Sequence, residues 1–177
     1  MGSISADECD ELLRTFEHGW FRIEARDSYA MDEERPEFER FLAGAPRPPS
    51  EIGWWKEWLD HAAALTRQGK TISRVRVVPD DGPTDYQRWL IWAGPWYTSA
   101  GVDIRYLTRS RAQSIGLPPG GDWSLLDGQR VIIHEFNQAG EVTGWDLIID
   151  PGTVAQYVRW QDIAVRNATL AAPGHAA

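Results

Sequence analysis

His134 and Asp146 are the residues whose types and predicted spacing come closest to acid–base chemistry. Successive residues of a β-strand point to opposite faces, so His134 and the neighbouring Glu135 cannot both serve one site. A hairpin in which Asn137 pairs with Glu141 places the imidazole and Asp146 on one face, diagonal to each other. A carboxylate there would fix the imidazole tautomer and favour its cation, as in a general base or a ligand clamp.

The same register predicts the other neighbours of His134. Gly144 lies directly opposite it and leaves empty volume, and an Asp127-Gly128 turn places Trp123 opposite Ile132 and diagonal to the imidazole. The alternative is a cross-strand His–Asp pair with no chemical role on a half-exposed sheet. A register shift of one residue in either hairpin would place these side chains on opposite faces of the sheet.

The chain also carries ten tryptophans in 177 residues, which is several times the usual content. Such rings build an ordinary core or line a pocket that stacks a flat ligand. The ligand-binding candidates are Trp123, Trp96, Trp92, Tyr86 and Arg105. On the helix predicted from Glu51 to Gln68, by contrast, the apolar residues share one side, so its tryptophans are interpreted as core.

Other chemistries find little support in the sequence. A glycine-rich phosphate loop, a nucleophile elbow and paired metal-ligating cysteines are absent, so no cofactor or metal is predicted. Several arginines do cluster in the middle of the chain. Solvated strand ends and loops are favoured over an anion site for this group, which comprises Arg74, Arg76, Arg88, Arg105, Arg109 and Arg111.

Composition narrows the functional classes. A net charge of −8 and a pI near 5.0 argue against direct nucleic-acid binding by the whole surface. The single cysteine, Cys9, excludes an intramolecular disulfide and is typical of a reducing compartment. The sequence has no basic leader and no apolar run long enough to cross a membrane. We therefore expect a cytoplasmic protein, with a homodimer left open.

The first two thirds of the chain predict alternating helices and strands. Ser5 and Glu8 form a capping-box pattern at the start of the first helix, and Thr84 is positioned to cap a later one. Strands are predicted at Trp20–Ala25, Thr71–Val78 and Val102–Leu107. The last two flank a helix, which predicts one β-α-β crossover with parallel strands.

The last third predicts an antiparallel meander. Its strands are Trp123–Leu126, Arg130–Phe136 and Val142–Ile149, and a final helix begins near Pro151. The sequence thus predicts an α+β fold with a mixed sheet flanked by helices. A single domain is expected over residues 1–170, followed by a loose tail over residues 171–177.

Short segments along the chain are similar, in sequence and in order, to segments of a known group of proteins. These segments are Phe21–Tyr29, Phe41–Gly44, Arg74–Val78, Thr84–Arg88, Gly101–Arg105 and Asp122–Phe136. Together they resemble a family of uncharacterised actinobacterial proteins often encoded beside helix-turn-helix regulators, over about Phe16 to Ala168. The resemblance implies a regulatory or partner-binding role by association and transfers no active site.

A crossover unit followed by a meander also looks like the phospholipase D-like domains that serve as ligand sensors in some regulators. In the catalytic form of that fold a lysine stands two residues after the histidine. Phe136 occupies that position after His134. This resemblance therefore implies a sensor without phosphodiester chemistry.

Two functional hypotheses follow from the sequence. The first is an accessory or sensor module that binds a protein partner, such as a helix-turn-helix regulator, or a small apolar or aromatic molecule. The second is a small-molecule enzyme of natural-product metabolism that uses His134 and Asp146 in a tryptophan-lined pocket. The enzyme hypothesis predicts a closed concave pocket that reaches His134, whereas the binding module predicts an exposed apolar patch or edge strand and no enclosed cavity around that residue.

Overall fold

A mixed seven-stranded sheet with helices on both faces forms the framework of the protein. A computed structural model describes residues 1–119, 121–170 and 172. The strands are β1 (Gly2–Ile4), β2 (Gly19–Glu24), β3 (Thr71–Val78), β4 (Val102–Thr108), β5 (Asp122–Leu126), β6 (Arg130–Phe136) and β7 (Val142–Ile148). They lie in the order β1-β7-β6-β5-β2-β3-β4, so β2 and β5 occupy the centre of the sheet. The predicted single α+β domain with a mixed sheet is confirmed.

The helices form two layers. They are α1 (Ala6–Thr15), α2 (Arg35–Leu42), α3 (Gly53–Arg67), α4 (Asp85–Trp92), α5 (Gly94–Ser99), α6 (Arg109–Ser114) and α7 (Pro151–Asn167), with a 3-10 turn at Pro49–Glu51. Helices α1 to α5 cover one face of the sheet, called here the first face, and α6 and α7 cover the second face. Both predicted caps are present, since Ser5 with Glu8 and Thr84 with Gln87 form complete capping boxes.

The parallel half of the sheet contains more than the one predicted crossover. Strands β3 and β4 are parallel, as the sequence predicts. Strand β2 is also parallel to β3, and the segment that contains α2 and α3 connects them. The sequence identified β2 as a strand but gave it no partner, because hydrophobic alternation does not specify which strand lies beside it.

The antiparallel meander of β5, β6 and β7 is confirmed, but its predicted register is wrong by one residue in both hairpins. The first turn contains three residues between the paired Leu126 and Arg130, with positive φ at Asp127 (57°) and Gly128 (66°). In the second hairpin the register shifts next to Phe136, which pairs with Val142. A bulge of this kind inserts one extra residue into a strand.

This shift separates the predicted acid–base pair. His134 lies opposite Asp122 on one side and Trp145 on the other, on the first face. Asp146 lies opposite Ile133 and therefore faces the second side of the sheet, as does Trp123, which also pairs with Ile133. Gly144 lies opposite Glu135 rather than His134. The predicted contacts of His134 with Asp146, Trp123 and Gly144 are therefore not formed.

The tryptophans mainly build the two apolar cores. On the first face Trp55 and Trp89 are almost completely buried and meet edge to face, with ring centroids 5.0 Å apart. On the second face Trp123 is buried between Phe21 and Tyr157, at 5.2 and 5.0 Å between ring centroids. These contacts contribute through area burial and favourable ring geometry.

Three of the strands and α-helices were not predicted from the sequence: the edge strand β1 and the short helices α5 and α6. Strand β1 has three residues and pairs with β7, which is too short a stretch to show alternation. The predicted loose tail lies outside the described residues except for Ala172, which is buried. Among the described residues, no helix combines the length and the apolar character that crossing a membrane requires.

The turn before β6 generates a prediction about stability. The carboxylate of Asp127 accepts hydrogen bonds from the backbone N–H groups of Glu17 (3.0 Å), His18 (2.7 Å) and Gly19 (3.1 Å). Asp127→Ala removes this acceptor at a position with positive φ, so we expect the free energy of unfolding to fall by about 2–3 kcal/mol. Urea denaturation measures the change.

Two variants serve as controls for this measurement. Asp127→Asn should lose less, because asparagine tolerates positive φ and keeps one acceptor oxygen. Asp60→Ala removes only an exposed i,i+4 ion pair with Lys56 and should change the free energy of unfolding by less than about 0.5 kcal/mol. Equal effects of Asp127→Ala and Asp60→Ala would contradict the role of the carboxylate in holding this turn.

Candidate ligand-binding site

A cavity of about 260 Å³ lies between the first face of the sheet and the helices that cover it. Its floor comes from the central strands and from buried side chains of α4 and α5: Arg22, Glu24, Arg74, Arg76, His134, Tyr86, Leu90 and Tyr97. Its walls and mouth come from α1, the segment after β2 and the hairpin of β6 and β7: Cys9, Asp10, Leu13, Tyr29, Met31, Glu34, Phe136, Val142 and Trp145.

Strand alternation brings the charged residues of the floor together. In β2, Arg22 and Glu24 point to the first face, while Phe21 and Ile23 enter the core of the second face. The parallel register places Arg22 beside Arg74 of β3 and Glu24 beside Arg76. Two charged rows therefore run across the centre of the sheet, beneath the helices.

Glu24 is the centre of this charged group. Its carboxylate accepts hydrogen bonds from Nη1 of Arg74 and from Nε of Arg76, each at 2.7 Å. Nε of Arg22 lies 3.7 Å from the same carboxylate. Burial alone would raise the pKa of Glu24, but the guanidiniums of Arg76, Arg74 and Arg22 hold it well below its usual value. Glu24 is therefore a carboxylate in the interior.

Asp122 adds a second carboxyl group beside this centre. It accepts a hydrogen bond from the backbone N–H of Ala25 at 2.9 Å and one from the phenol of Tyr29. Nη2 of Arg22 lies 3.6 Å from its Oδ2. Burial raises the pKa of Asp122, although Arg22 and the hydrogen bond from Tyr29 oppose this shift. When Asp122 is ionised, it adds one negative charge beside Glu24.

The floor has an excess of positive charge. The guanidiniums of Arg22, Arg74 and Arg76 face Glu24 and Asp122, so one positive charge is left among these five side chains even when both carboxyl groups are ionised; Asp10 and Glu34 add two carboxyl groups elsewhere in the lining. Glu34 lies nearer the mouth, and its carboxyl group accepts a hydrogen bond from the phenol of Tyr86 at 2.5 Å. Burial raises the pKa of Glu34, as it does that of Asp122.

Unused hydrogen-bond donors accompany this charge. Within the described residues, Nε of Arg22 and Nε of Arg74 are buried and have no hydrogen-bond partner. Both side chains line the cavity. Leaving a buried donor unpaired costs about 1–3 kcal/mol, and more when the group is charged. Positive charge with free N–H donors on a cavity wall is the chemistry of an anion site.

Aromatic rings hold the arginines in place on their other side. The guanidinium of Arg74 lies 5.0 Å from the ring centroid of Trp58 and 5.4 Å from that of Trp20. Tyr97 lies 5.8 Å from Arg74 and 5.7 Å from Arg76, and its hydroxyl accepts a hydrogen bond from Nε1 of Trp55 at 2.8 Å. Cation–π contacts and Glu24 together fix where the guanidiniums point.

His134 is held by a chain of hydrogen bonds that differs from the predicted pairing. Its Nε2 lies 2.9 Å from Oγ of Ser124, which also accepts a hydrogen bond from Nε1 of Trp20 at 3.1 Å. Because an indole N–H only donates, the serine hydroxyl is free to donate to Nε2, which assigns the ring proton to Nδ1. Burial and then the charge of Arg22 lower the pKa of His134 well below 6.5, so the imidazole is neutral.

Ser124, His134 and Asp122 do not form a nucleophilic triad, although the three residue types are adjacent. Ser124 has no exposed surface and does not line the cavity, so a substrate cannot reach its hydroxyl. Asp122 lies opposite His134 in the sheet, but its oxygens bind Ala25 and Tyr29. The serine orients the imidazole instead of attacking a substrate.

The residues predicted for ligand binding are distributed over the whole molecule. Tyr86 lines the cavity, as does His134. Arg105 and Trp123 belong to the second face, where Arg105 pairs with Asp103 at 2.9 Å. Trp92 and Trp96 contact each other, with ring centroids 5.2 Å apart, outside the cavity lining.

The sequence did not lead us to predict that Glu24 and the arginines of the floor form a buried site. It favoured solvated positions for Arg74 and Arg76, whereas the side chains are only 12 and 4% exposed. Arg88 and Arg111 do lie at the surface. The available signal was the alternation of charged with apolar residues in Arg22-Ile23-Glu24 and Arg74-Val75-Arg76, because a strand covered on both faces exposes neither set.

The segment between β2 and α2 closes the cavity and is tied to its floor. Tyr29 reaches down to Asp122, and Glu34 binds Tyr86 of α4. The backbone N–H of Ala30 donates to the carbonyl of Gly140 at 2.9 Å. A Cβ atom at Gly140 would lie 3.3 Å from this backbone, and its φ of 89° also favours glycine. The segment and the hairpin therefore approach each other closely at the mouth.

No group of histidine, cysteine and acidic side chains suited to a metal ion occurs within the described part of the chain.

Comparison with known proteins identifies a family by its sequence. A family model described as "Domain of unknown function (DUF6879)" matches residues 7–172, a range that contains all residues of the cavity. No curated protein matches the chain.

Removing the central carboxylate should destabilise the protein strongly. Glu24→Gln leaves Arg22, Arg74 and Arg76 together in the interior without their shared counter-charge. We expect the free energy of unfolding to fall by about 3–5 kcal/mol, measured by urea denaturation. Glu51→Gln, at an exposed position, should change it by less than about 0.5 kcal/mol. A loss below about 1 kcal/mol for Glu24→Gln would show that the cluster is solvated.

The neutral state of His134 makes stability depend on pH. Its pKa is lowered in the folded protein, so below about pH 6.5 the unfolded chain binds a proton that the folded chain does not. The free energy of unfolding should therefore fall as the pH decreases from 7 to 5.5, by about 1 kcal/mol from this residue. In His134→Gln, whose amide can still bind Ser124, this part of the slope should disappear. An unchanged slope would contradict a neutral buried imidazole.

Proposed function

We propose that this chain, which belongs to the DUF6879 family, is a sensor or accessory module that binds a small molecule in the cavity on the first face of its sheet. The observation that carries the proposal is that, within the described residues, Nε of Arg22 and Nε of Arg74 are buried without a hydrogen-bond partner, on side chains that line the cavity. A side-chain cluster maintained only for stability has no need of unused charged donors, since each of them costs free energy.

The size of the cavity supports a small molecule. At about 260 Å³ it lies just below the range of about 300–1,000 Å³ usual for drug-sized ligands. A folded partner or a peptide segment would not enter it. The large exposed apolar side chains, in contrast, come from separate segments, as Met1, Leu42, Ile149 and Leu170. The described surface therefore offers less support for a partner recognised by an apolar patch.

The cavity reaches His134, as the enzyme hypothesis predicts, but the state of the nucleophilic and basic groups favours binding over catalysis. Ser124 is enclosed, and burial raises the pKa of the Cys9 thiol to about 11, which disfavours a thiolate. His134 has a strongly lowered pKa, so it is a weak base, and Asp146 lies on the other face. The cavity thus supplies groups that recognise and orient a ligand, and the alternative of a His–Asp enzyme has less support.

A regulatory setting is part of this proposal. The sequence resembles proteins encoded beside helix-turn-helix regulators, and a binding module in that setting would report the presence of its ligand to such a partner. Helix α1 and the segment between β2 and α2 form the mouth, so ligand binding would act first on these surface elements. This step is an extension of the binding proposal and depends on it.

Blocking the cavity tests the proposal without knowledge of the ligand. Leu13 of α1 lines the cavity, so the larger ring of Leu13→Trp should fill part of its volume. Glu11→Trp adds the same ring at an exposed position of the same helix and is the matched control. A low-molecular-mass filtrate of cells that express the natural protein should raise the Tm of the wild type and of Glu11→Trp by several degrees, but not that of Leu13→Trp.

The retained mass provides an independent measurement. Native mass spectrometry of the gently purified chain should show an added small mass in the wild type and in Glu11→Trp, and none in Leu13→Trp. Equal stabilisation of both tryptophan variants by the filtrate would place the binding site elsewhere. No stabilisation of any of the three proteins, together with the bare chain mass, would contradict small-molecule binding.

A further inference from the structure

We infer that the ligand is a small monocarboxylic acid with a flat apolar body, bound with its carboxylate at Arg22 and Arg74 and its body toward Phe136 and Trp145. This inference rests on the proposed function and names the chemical class that the same cavity recognises. It follows from the number of free donors, the charge of the floor and the character of the walls.

The free donors fit a carboxylate. Nε of Arg22 and Nε of Arg74 are single N–H groups on two guanidiniums that neighbouring strands place side by side. Glu24 accepts a hydrogen bond from Nη1 of Arg74, which leaves the Nε edge of that guanidinium without a partner among the described residues. A carboxylate has two oxygens and can accept one N–H from each arginine.

The charge of the floor favours one negative charge over two. At the floor Arg22, Arg74 and Arg76 exceed Glu24 and Asp122 by one, so a monoanion balances these five side chains, and Asp10 and Glu34 nearer the mouth add only further carboxyl groups. A phosphate dianion would leave a net negative charge beside Glu24 and close to Glu34, in surroundings where buried charge is costly. The same argument disfavours a dicarboxylic acid.

The walls above the floor are mainly apolar. Toward the mouth the cavity is bounded by Leu13, Met31, Phe136, Val142 and Trp145, and Asp10, Tyr29 and Glu34 are the polar members of this part of the lining. Trp145 is the one tryptophan of the chain that lines the cavity, and its neighbour across the strand is the neutral His134. Flat rings pack well against aromatic and thioether side chains. A ligand with its charge at one end and a flat ring at the other matches both regions.

Size limits the ligand to a small acid. With about 30 Å³ for each water in the liquid, about 260 Å³ corresponds to roughly nine water-sized groups. A carboxylate attached to one ring has about this volume. Benzoate is therefore a suitable probe, benzamide is its neutral counterpart of the same shape, and inorganic phosphate tests for a general anion site.

The direct test observes the arginine donors of the wild-type protein by NMR. Benzoate should shift the Nε–H signals of Arg22 and Arg74 and the indole signal of Trp145, with a Kd of about 1 mM or tighter. Benzamide should bind at least about tenfold more weakly, because it brings no charge to the floor. Phosphate should leave the indole signal unchanged.

Variants identify the residues responsible. Arg22→Lys keeps the charge but removes the planar donor edge, and it should weaken benzoate binding by about tenfold or more. Arg14→Lys makes the same change at an exposed position of α1 and should have no effect. If Arg22→Lys fails to fold, the comparison of benzoate with benzamide in the wild type still decides the inference.

The outcomes separate this inference from the proposed function. Equal binding of benzamide and benzoate, or tighter binding of phosphate, would overturn the carboxylate assignment while leaving small-molecule binding intact. Stabilisation by the cell filtrate without any benzoate shift at about 10 mM would have the same meaning. A benzoate shift that Leu13→Trp abolishes and Glu11→Trp preserves would support both.

Discussion

The interaction on which the structure depends is the contact of Glu24 with the guanidiniums around it, in the middle of the sheet. Three buried arginines on adjacent strands would repel one another, and only an ionised carboxylate between them makes the arrangement stable. The parallel register of β2 and β3 supplies that carboxylate, because it places Glu24 beside Arg76. Glu24 also follows Arg22 by two residues in β2, so both side chains lie on the same face. The position of this charge determines what can be packed above it.

Part of the tryptophan content serves this arrangement. Burying guanidiniums requires side chains that exclude water and still interact favourably with a cation, and indole rings do both. Trp20 and Trp58 lie over Arg74. Trp55 holds the hydroxyl of Tyr97, which lies beside both Arg74 and Arg76. Packing around charge therefore explains three of the ten tryptophans, Trp20, Trp55 and Trp58, and Trp145 lines the cavity.

Local sequence patterns predicted the elements of this fold better than its contacts. Capping boxes at Ser5 and Thr84, the parallel pair β3 and β4 and the meander could be predicted, because they depend on neighbouring residues. The site could not. One bulge beside Phe136 reverses the face that Asp146 presents relative to His134, and one additional residue in the turn at Asp127 does the same for Trp123. Arginines in strands also look solvated until the covering helices are known.

The geometry of the cavity links its occupation to the surface of the protein. The segment that closes the mouth is held at two points, by Tyr29 on Asp122 and by Glu34 on Tyr86, and both carboxyl groups have raised pKa values because they are buried. An anion bound at Arg22 would compete with Asp122 for that guanidinium, and the change would pass to the phenol of Tyr29. In the proposed sensor, a small shift in charge on the floor would thereby reach the segment between β2 and α2, and a sensor needs coupling of this kind.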